Sequence, residues 1–214
     1  MDIPFRTVKA PAKEELIVLK SRFIGCAYPA SDEETALDLI RQTKEEHPSA
    51  SHHCFAYVIG PNAGIMRYQD DGEPSGTAGL PIMEVLRQRQ LTNVCVVVVR
   101  YFGGTLLGKG GLVRAYSKAC VLAVDSAQVV SEEPSIRMLA EIAYTHWDRV
   151  QFMLKSQPIL IEDTSYAEHV TLQFIVRVPN AASVSEALMQ ATDGKSESIE
   201  TDRLFYQWPE TQDI

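Results

Sequence analysis

A glycine-rich segment behind a long apolar run constrains this chain more than any other stretch. Residues 94–99 are all apolar, Arg100-Tyr101-Phe102 follow, and residues 103–111 then contain five glycines. Glycine is used where the backbone turns with positive φ or approaches another group closely. The segment therefore predicts a tightly constrained connection between a buried strand and a helix that carries Arg114, Tyr116 and Lys118.

Composition and length place the chain among globular proteins with one large core or two modest ones. It has 214 residues, of which 45% are hydrophobic and 22% charged. The amino-terminal stretch lacks a basic start followed by an apolar core, and no later window is a long uncharged apolar run. We therefore expect a cytoplasmic protein with no membrane contact. Four widely spaced cysteines without a C-x-x-C pair are expected to be reduced thiols.

The negative charge lies mainly in the second part of the chain. Residues 1–134 carry 14 basic and 16 acidic side chains, net −2, whereas residues 135–214 carry 6 and 12, net −6. Phosphate contacts are made by Lys and Arg. Any nucleic-acid site is therefore expected in the first part.

Periodicity predicts an α+β arrangement in residues 1–134. Two strands over residues 14–20 and 22–28 precede a helix that begins with a capping box at Ser31-Asp32-Glu33-Glu34 and runs to about His47. A hairpin over residues 54–59 and 65–69 follows, with Gly60 expected opposite Ile65, Cys54 opposite Asp71 and His52 opposite Glu73. A further helix over residues 81–90 is predicted. The expected inner side of the first helix consists of Ala36, Leu37, Leu39 and Ile40.

A second domain is predicted over residues 135–214. Residues 132–135 have the composition of a linker, and beyond them the hydrophobic periods begin again. The expected order is a strand over 136–144, a helix to about 156, strands near 159–162 and 170–178, a helix over 180–192 and a last strand over 199–208. This β-α-β-β-α-β order is that of a ferredoxin-like domain.

The leading candidate site is a group of cations, glycines and an aromatic ring around the glycine-rich segment. Such a group can stack on bases and contact phosphates, although scattered surface cations are the ordinary structural alternative. The predicted nucleic-acid or anion-binding residues are Arg67, Arg100, Tyr101, Gly103, Gly104, Lys109, Gly110, Gly111 and Arg114.

An alternative polar site combines two histidines with the acidic turn that follows the hairpin: His52, His53, Asp70, Asp71 and Glu73. These groups can supply a general base near neutral pH or ligands to a divalent metal. The ordinary alternative is a histidine hydrogen-bonded to an aspartate in a structural turn. The side chains of neighbouring residues in a strand point to opposite sides, so His52, His53 and Cys54 cannot all coordinate one metal ion. No metal-ligand spacing such as H-x-x-x-H is present, and the sequence predicts no metal and no cofactor.

Two familiar catalytic motifs are incomplete. Gly103-x-x-x-x-Gly108-Lys109 has the spacing of a P-loop, but Gly110 stands where the Ser or Thr that binds Mg²⁺ is needed. Successive amides at a helix start can still hold a phosphate. Ser75 lacks the G-x-S-x-G turn of a nucleophile, so no catalytic residue is assigned.

Several segments resemble the YigZ/Impact family in its bacterial two-domain form. They are residues 68–79 (YQDDGEPSGTAG), 98–104 (VVRYFGG), 107–108, 110–116 (GGLVRAY), 20–24 and 52–57. The likeness covers the first domain throughout, and the second domain matches by pattern and position. The resemblance implies a first domain similar to the second domain of ribosomal protein S5. It implies a second domain similar to the ferredoxin-like carboxy-terminal domain of elongation factor G.

The resemblance suggests contact with the ribosome or another RNA-rich surface. It supplies no agreed enzymatic mechanism, and the link of eukaryotic Impact proteins to translational control carries over weakly because they lack this second domain. Our leading hypothesis is a translation-associated regulator that binds RNA or ribosome. The alternatives are a hydrolase or phosphate-ligand enzyme that uses the polar site, and a regulator whose acidic second domain binds a basic protein partner. The sequence leaves the oligomeric state open.

Overall fold

The computed structural model describes residues 3–60 and 62–208, in two compact units. One unit is Phe5–Ser131, and the other contains the remaining described residues, 3–4 and 132–208. Helices and strands occur in both, which confirms the predicted α+β class. Among the described residues, no helix combines the length and apolar character needed to cross a bilayer.

The first unit is built on a five-stranded antiparallel sheet. After a short strand β1 (Phe5–Val8), which was not predicted, its strands are β2 (Ala12–Val18), β3 (Ser21–Pro29), β4 (His52–Ile59), β5 (Ile65–Gln69) and β6 (Val94–Tyr101). The sheet order is β2-β3-β6-β4-β5. The central position of β6 explains its unbroken apolar run, because both of its faces are covered.

Alternate residues of β6 contribute to two different cores. Val96 and Val98 pack with α2 (Gly79–Gln88) and α3 (Gly108–Ser126), whereas Val97 and Val99 pack with α1 (Glu33–Glu46). We call these the α3 face and the α1 face of the sheet. The face on which each predicted site residue lies determines which of these residues can contact one another.

Local details of the first unit differ from the sequence prediction. Ile59, not Gly60, lies opposite Ile65, so the predicted hairpin register was wrong by one residue. Helix α1 is capped by Asp32, whose carboxylate accepts from the amide of Thr35 at 2.7 Å, and no capping box forms. Leu37 is 51% exposed and does not belong to the inner side. Pro61 of the predicted turn lies outside the described residues.

The second unit has the predicted β-α-β-β-α-β order. Its elements are β7 (Val129–Ile142), α4 (Tyr144–Leu154), β8 (Ile159–Tyr166), β9 (Val170–Arg177), α5 (Ala181–Ala191) and β10 (Ser198–Gln207). The strands pair antiparallel in the order β10-β7-β9-β8, as in a ferredoxin-like sheet. Residues 132–135 are not a linker, since they belong to β7 and pair with β10.

Candidate functional site

The carboxylate of Asp70 organises the acidic turn between β5 and α2. Its two oxygens accept hydrogen bonds from the backbone amides of Gly76, Ala78 and Gly79 at 2.8, 3.0 and 2.8 Å. The N-cap residue of α2, Ala78, has no side chain that could serve these amides. Asp70 is therefore committed to the fold of the turn.

Glu73 stands at the centre of a group of side chains that we call the Glu73 cluster: Glu73, Arg100, Tyr116 and His52. Oε1 of Glu73 accepts from Nη1 of Arg100 at 2.6 Å and from the hydroxyl of Tyr116 at 2.7 Å. Nε2 of His52 lies 3.8 Å from the same oxygen. Within the part of the chain that the structure describes, Oε2 of Glu73 has no hydrogen-bond partner. One carboxylate oxygen is thus fully used and the other is a free acceptor.

Arg100, which the sequence placed among the phosphate-contacting residues, is buried. Its residue is 4% exposed, its Nη2 donates to Oγ of Ser21 at 3.3 Å, and its guanidinium lies against the rings of Phe23 and Phe102 at 5.3 and 5.5 Å. A guanidinium that is buried and paired with Glu73 does not reach an external phosphate. The prediction that Arg100 contacts a phosphate directly is therefore corrected. Arg100 instead forms the ion pair that holds the Glu73 carboxylate.

Tyr116 and Cys54 complete the interior of this region. Sγ of Cys54 lies 3.4 Å from the Tyr116 hydroxyl and 2.9 Å from the carbonyl oxygen of Asp70. Burial is the largest cause that raises the pKa of Tyr116 and that raises the pKa of Cys54 to about 12. Both groups are therefore neutral donors at physiological pH.

A cleft of about 420 Å³ opens beside the Glu73 cluster, and we call it the α3 cleft. One end is polar, with His52, Glu73 and Arg100. Its walls are mainly apolar, and the start of helix α3 forms its rim. The lining residues are His52, Glu73, Pro74, Arg100, Phe102, Leu106, Leu107, Gly108, Lys109 and Leu112.

The start of α3 is open to an external ligand. The N-cap residue, Leu107, offers no side-chain hydrogen bond, and the first turn contains no acidic residue. Gly104 and Gly108 have φ of +79° and +70°, which explains why glycine is used there. Gly103 lies so close to the backbone of Lys20 that an added Cβ would stand 2.1 Å from the Lys20 carbonyl carbon. The glycine-rich segment is thus a rigid turn that leaves the first helix amides uncapped.

A second hollow, of about 320 Å³, lies on the other side of Leu107. Its floor is apolar, with Leu16, Val18 and Leu19, and its cations are Arg114 and Lys118 from α3. Both cations are exposed. The two hollows together place Lys109, Arg114 and Lys118 around the first turns of α3.

Two predicted members of the binding set lie on the opposite face of the sheet. Tyr101 hydrogen-bonds through its hydroxyl to Nδ1 of His47 at 3.0 Å, next to α1. Arg67 pairs across strands with Tyr57, whose ring belongs to the α1-face core. The structure therefore does not bring Tyr101 or Arg67 together with Lys109 and Arg114.

The alternative polar site is divided in the same way. His53 and Asp71 meet on the α1 face, where the amide of His53 donates to Oδ2 of Asp71 at 2.7 Å and Nε2 of His53 lies 3.0 Å from the carbonyl oxygen of His47. His52 and Glu73 meet on the α3 face. The separation of the two histidines by strand alternation was predicted from the sequence.

Sequence reasoning missed Tyr116 as a member of the Glu73 cluster, and it missed Ser21 and Phe23 as contacts of Arg100. A buried tyrosine needs a partner for its hydroxyl, and that requirement is a signal that points to a nearby acceptor. Among the described residues, no group of three or more His, Cys, Asp or Glu side chains is arranged to hold a metal ion.

Comparison with known proteins agrees with this two-part organisation. Residues 19–124 match the model of the Impact N-terminal domain, and residues 141–195 match a domain of unknown function, DUF1949. The first match contains the whole Glu73 cluster and the start of α3.

Relatives of the whole chain carry the same family name. The IMPACT family member YvyE of Bacillus subtilis (strain 168) is 39% identical over 200 residues, which is 94% of this chain and 92% of that protein. The IMPACT family member YigZ of Escherichia coli (strain K12) is 31% identical over 179 residues, 83% of this chain and 88% of that protein. A solved structure described as a hypothetical protein is 29% identical with a TM-score of 0.60, and the match covers 94% of this chain and 98% of the other. The chain therefore belongs to the Impact family, as the sequence motifs predicted.

Proposed function

We propose that this protein binds RNA, as a factor associated with translation, through the cations around the first turns of α3. The observation that carries the proposal is that Lys109, Arg114 and Lys118 are exposed and, in residues 3–60 and 62–208, have no carboxylate within ion-pair distance. Unpaired cations near uncapped helix amides are suited to phosphate groups.

Several other cations in the same unit are paired with carboxylates. Arg22 pairs with Glu15, Arg87 with Glu84 and Arg89 with Asp125. The chain has a formal net charge of −8, so carboxylates are plentiful. Three cations of one helix without acidic neighbours therefore mark a surface suited to a polyanion.

Exposed rings and the domain types also support RNA as the polyanion. Phe102 lines the α3 cleft and is 48% exposed, so an unpaired base can stack on it. The resemblance of the two domains to parts of ribosomal protein S5 and elongation factor G favours a ribosomal RNA surface. A hydrolase is not proposed, because Asp70 is engaged by three amides and Asp71 lies on the other face of the sheet from His52 and Glu73.

The proposal is tested by RNA binding of the full chain, measured by fluorescence anisotropy at several salt concentrations. The test variant replaces Lys109, Arg114 and Lys118 by Gln. The matched control replaces three exposed lysines elsewhere by Gln: Lys9, Lys155 and Lys195.

We expect the test variant to bind at least about tenfold more weakly at low salt. Its slope of log affinity against log salt should be shallower by about 2, because about 0.7 counterions are released per phosphate contact on single strands. The control should bind almost as the parent does. Absence of RNA binding by the parent, or an equal loss in both triple variants, would overturn the proposal.

A further inference from the structure

The α3 cleft has the size and lining of a small-molecule site. Its volume of about 420 Å³ lies within the range of ligand pockets, about 300–1,000 Å³. The walls include Phe102, Leu106 and Leu112, which present an aromatic ring and aliphatic groups. Specificity in such a pocket comes from the few polar groups at its end.

Two hydrogen-bond acceptors, Oε2 of Glu73 and Nε2 of His52, belong to that end. Glu73 is 8% exposed and its Oε2 is free, because Arg100 and Tyr116 both bond to Oε1. Nδ1 of His52 lies 2.9 Å from the carbonyl oxygen of Asp71, and since a carbonyl only accepts, Nδ1 carries the hydrogen. In the neutral ring Nε2 is then an acceptor, and it lies 3.8 Å from Oε1 of Glu73. A ligand that satisfies both groups must carry two donors.

We propose that the α3 cleft binds guanine, with the attached phosphate at the start of α3. The Watson–Crick edge of guanine presents N1–H and the N2 amino group side by side. Adenine and cytosine present one donor beside an acceptor, and uracil presents one donor between two acceptors. Guanine is therefore the base whose edge pairs with both Oε2 of Glu73 and Nε2 of His52, while Phe102 provides a stacking surface.

The same cleft also offers groups that suit the phosphate of this ligand. Gly108 and Lys109 line the rim, and the helix that they begin has no side-chain cap. Helix amides and a lysine attract a phosphate group. The free oxygen of a buried Glu73 and the open helix start are separate observations that indicate one ligand, a guanine nucleotide.

The guanine can come from a free nucleotide or from an unpaired guanosine of an RNA. The second source rests on the proposed RNA-binding function, whereas the first does not. The experiment is therefore designed so that the guanine site can be disproved without disproving the RNA-binding function, and the reverse.

The first arm measures binding of free GMP, IMP, AMP and CMP to the full chain by isothermal titration calorimetry. IMP is guanosine monophosphate without the N2 amino group. We expect IMP to bind about tenfold more weakly than GMP, because one acceptor of the protein is left unpaired. AMP and CMP should bind more weakly than IMP. Equal binding of GMP and AMP, or no binding of any nucleotide, would overturn the guanine site.

The second arm uses variants. Phe102→Ala should weaken GMP binding by about tenfold through the loss of stacking, whereas Phe152→Ala, the same change at an exposed position of α4, should leave it unchanged. Glu73→Gln should lower the preference for GMP over AMP, and circular dichroism would show whether that variant folds. If Glu73→Gln does not fold, the proposal is still tested by the four nucleotides and by the comparison of Phe102→Ala with Phe152→Ala. Retention of full GMP affinity by Phe102→Ala would contradict the proposal.

The third arm compares short oligouridylates that carry one central guanosine or one central adenosine. Tighter binding of the guanosine-containing strand supports the site in RNA. RNA binding without this preference would overturn the guanine inference and leave the proposed function standing. Selective GMP binding without RNA binding would support the site and overturn the proposed function.

Discussion

Nη1 of Arg100 lies 2.6 Å from Oε1 of Glu73, and the side chains of both residues are at most 5% exposed. Arg100 comes from the central strand β6 and Glu73 from the turn before α2. The same oxygen accepts from Tyr116 of α3. One carboxylate oxygen thus joins three elements of the first unit and holds the polar end of the α3 cleft in place.

We predict that Glu73→Ala strongly destabilises the protein. The change would leave the Arg100 guanidinium buried without a counter-ion and the Tyr116 hydroxyl without its acceptor. Removing one partner of a buried ion pair costs about 3–5 kcal/mol in the free energy of unfolding. Urea denaturation measures this loss.

Glu84→Ala is the matched control for that variant. Glu84 pairs with Arg87 on the exposed surface of α2 at 3.2 Å, and such pairs contribute about 0–1 kcal/mol. Equal losses in the two variants would show that the buried pair does not stabilise the fold as described.

Much of the fold follows from hydrophobic patterns, and β6 shows why. Its apolar run requires cover on both faces, and a strand with no polar alternation is central in the sheet. The order of elements in the second unit is also predicted, because β7 and β9 alternate in burial along part of their length. The hairpin register is not fixed by such patterns, because β5 is largely exposed on both faces and register is weakly specified in such strands.

The candidate site is predicted less well, because it depends on which face each residue occupies. Arg100 and Tyr101 are adjacent in β6 and therefore point to opposite faces, so proximity in sequence does not make them one site. The sequence also gives no sign that Glu73 is the partner of Arg100. That pairing depends on the path of the turn that Asp70 holds.

Asp70→Ala tests the turn itself. The carboxylate bonds to three amides around the start of α2, and the loss of a helix cap costs up to about 2 kcal/mol. We expect a loss near that upper value in urea denaturation. Asp38→Ala is the control, because Asp38 makes an exposed pair with Arg41, and a similar loss in both variants would be inconsistent with the capping role.

Gly103→Ala and Gly110→Ala test whether the glycine-rich segment is rigid because of close packing. A Cβ on Gly103 would stand 2.1 Å from the backbone of Lys20, so we expect a loss of about 1–3 kcal/mol in stability through overpacking. A Cβ on Gly110 would meet only Nη1 of Arg114 at 3.6 Å, and alanine is favoured over glycine within a helix by about 1 kcal/mol. Urea midpoints should therefore fall for the first variant and not for the second, and a fall in both would contradict this explanation.

The four cysteines are predicted to be unreactive in the native protein. Cys26, Cys54, Cys95 and Cys120 are buried and free. Burial raises the pKa of each thiol, for the last three to about 12, so the reactive thiolate is scarce at pH 8. A disulfide reagent should react slowly with the native chain and rapidly with four thiols in guanidinium. Fast reaction of any thiol in the native state would contradict the burial described.

The same raised pKa values predict how stability depends on pH. In the unfolded chain the thiols ionise near pH 8.5, roughly, whereas in the native protein three of them ionise near pH 12. Below the unfolded pKa both states hold the protons and the stabilisation is fully present. As the pH rises from there towards the native pKa, only the unfolded chain releases protons, so the free energy of unfolding should fall. Urea denaturation at pH 8 and at pH 10 measures this change, and equal or greater stability at pH 10 would contradict it.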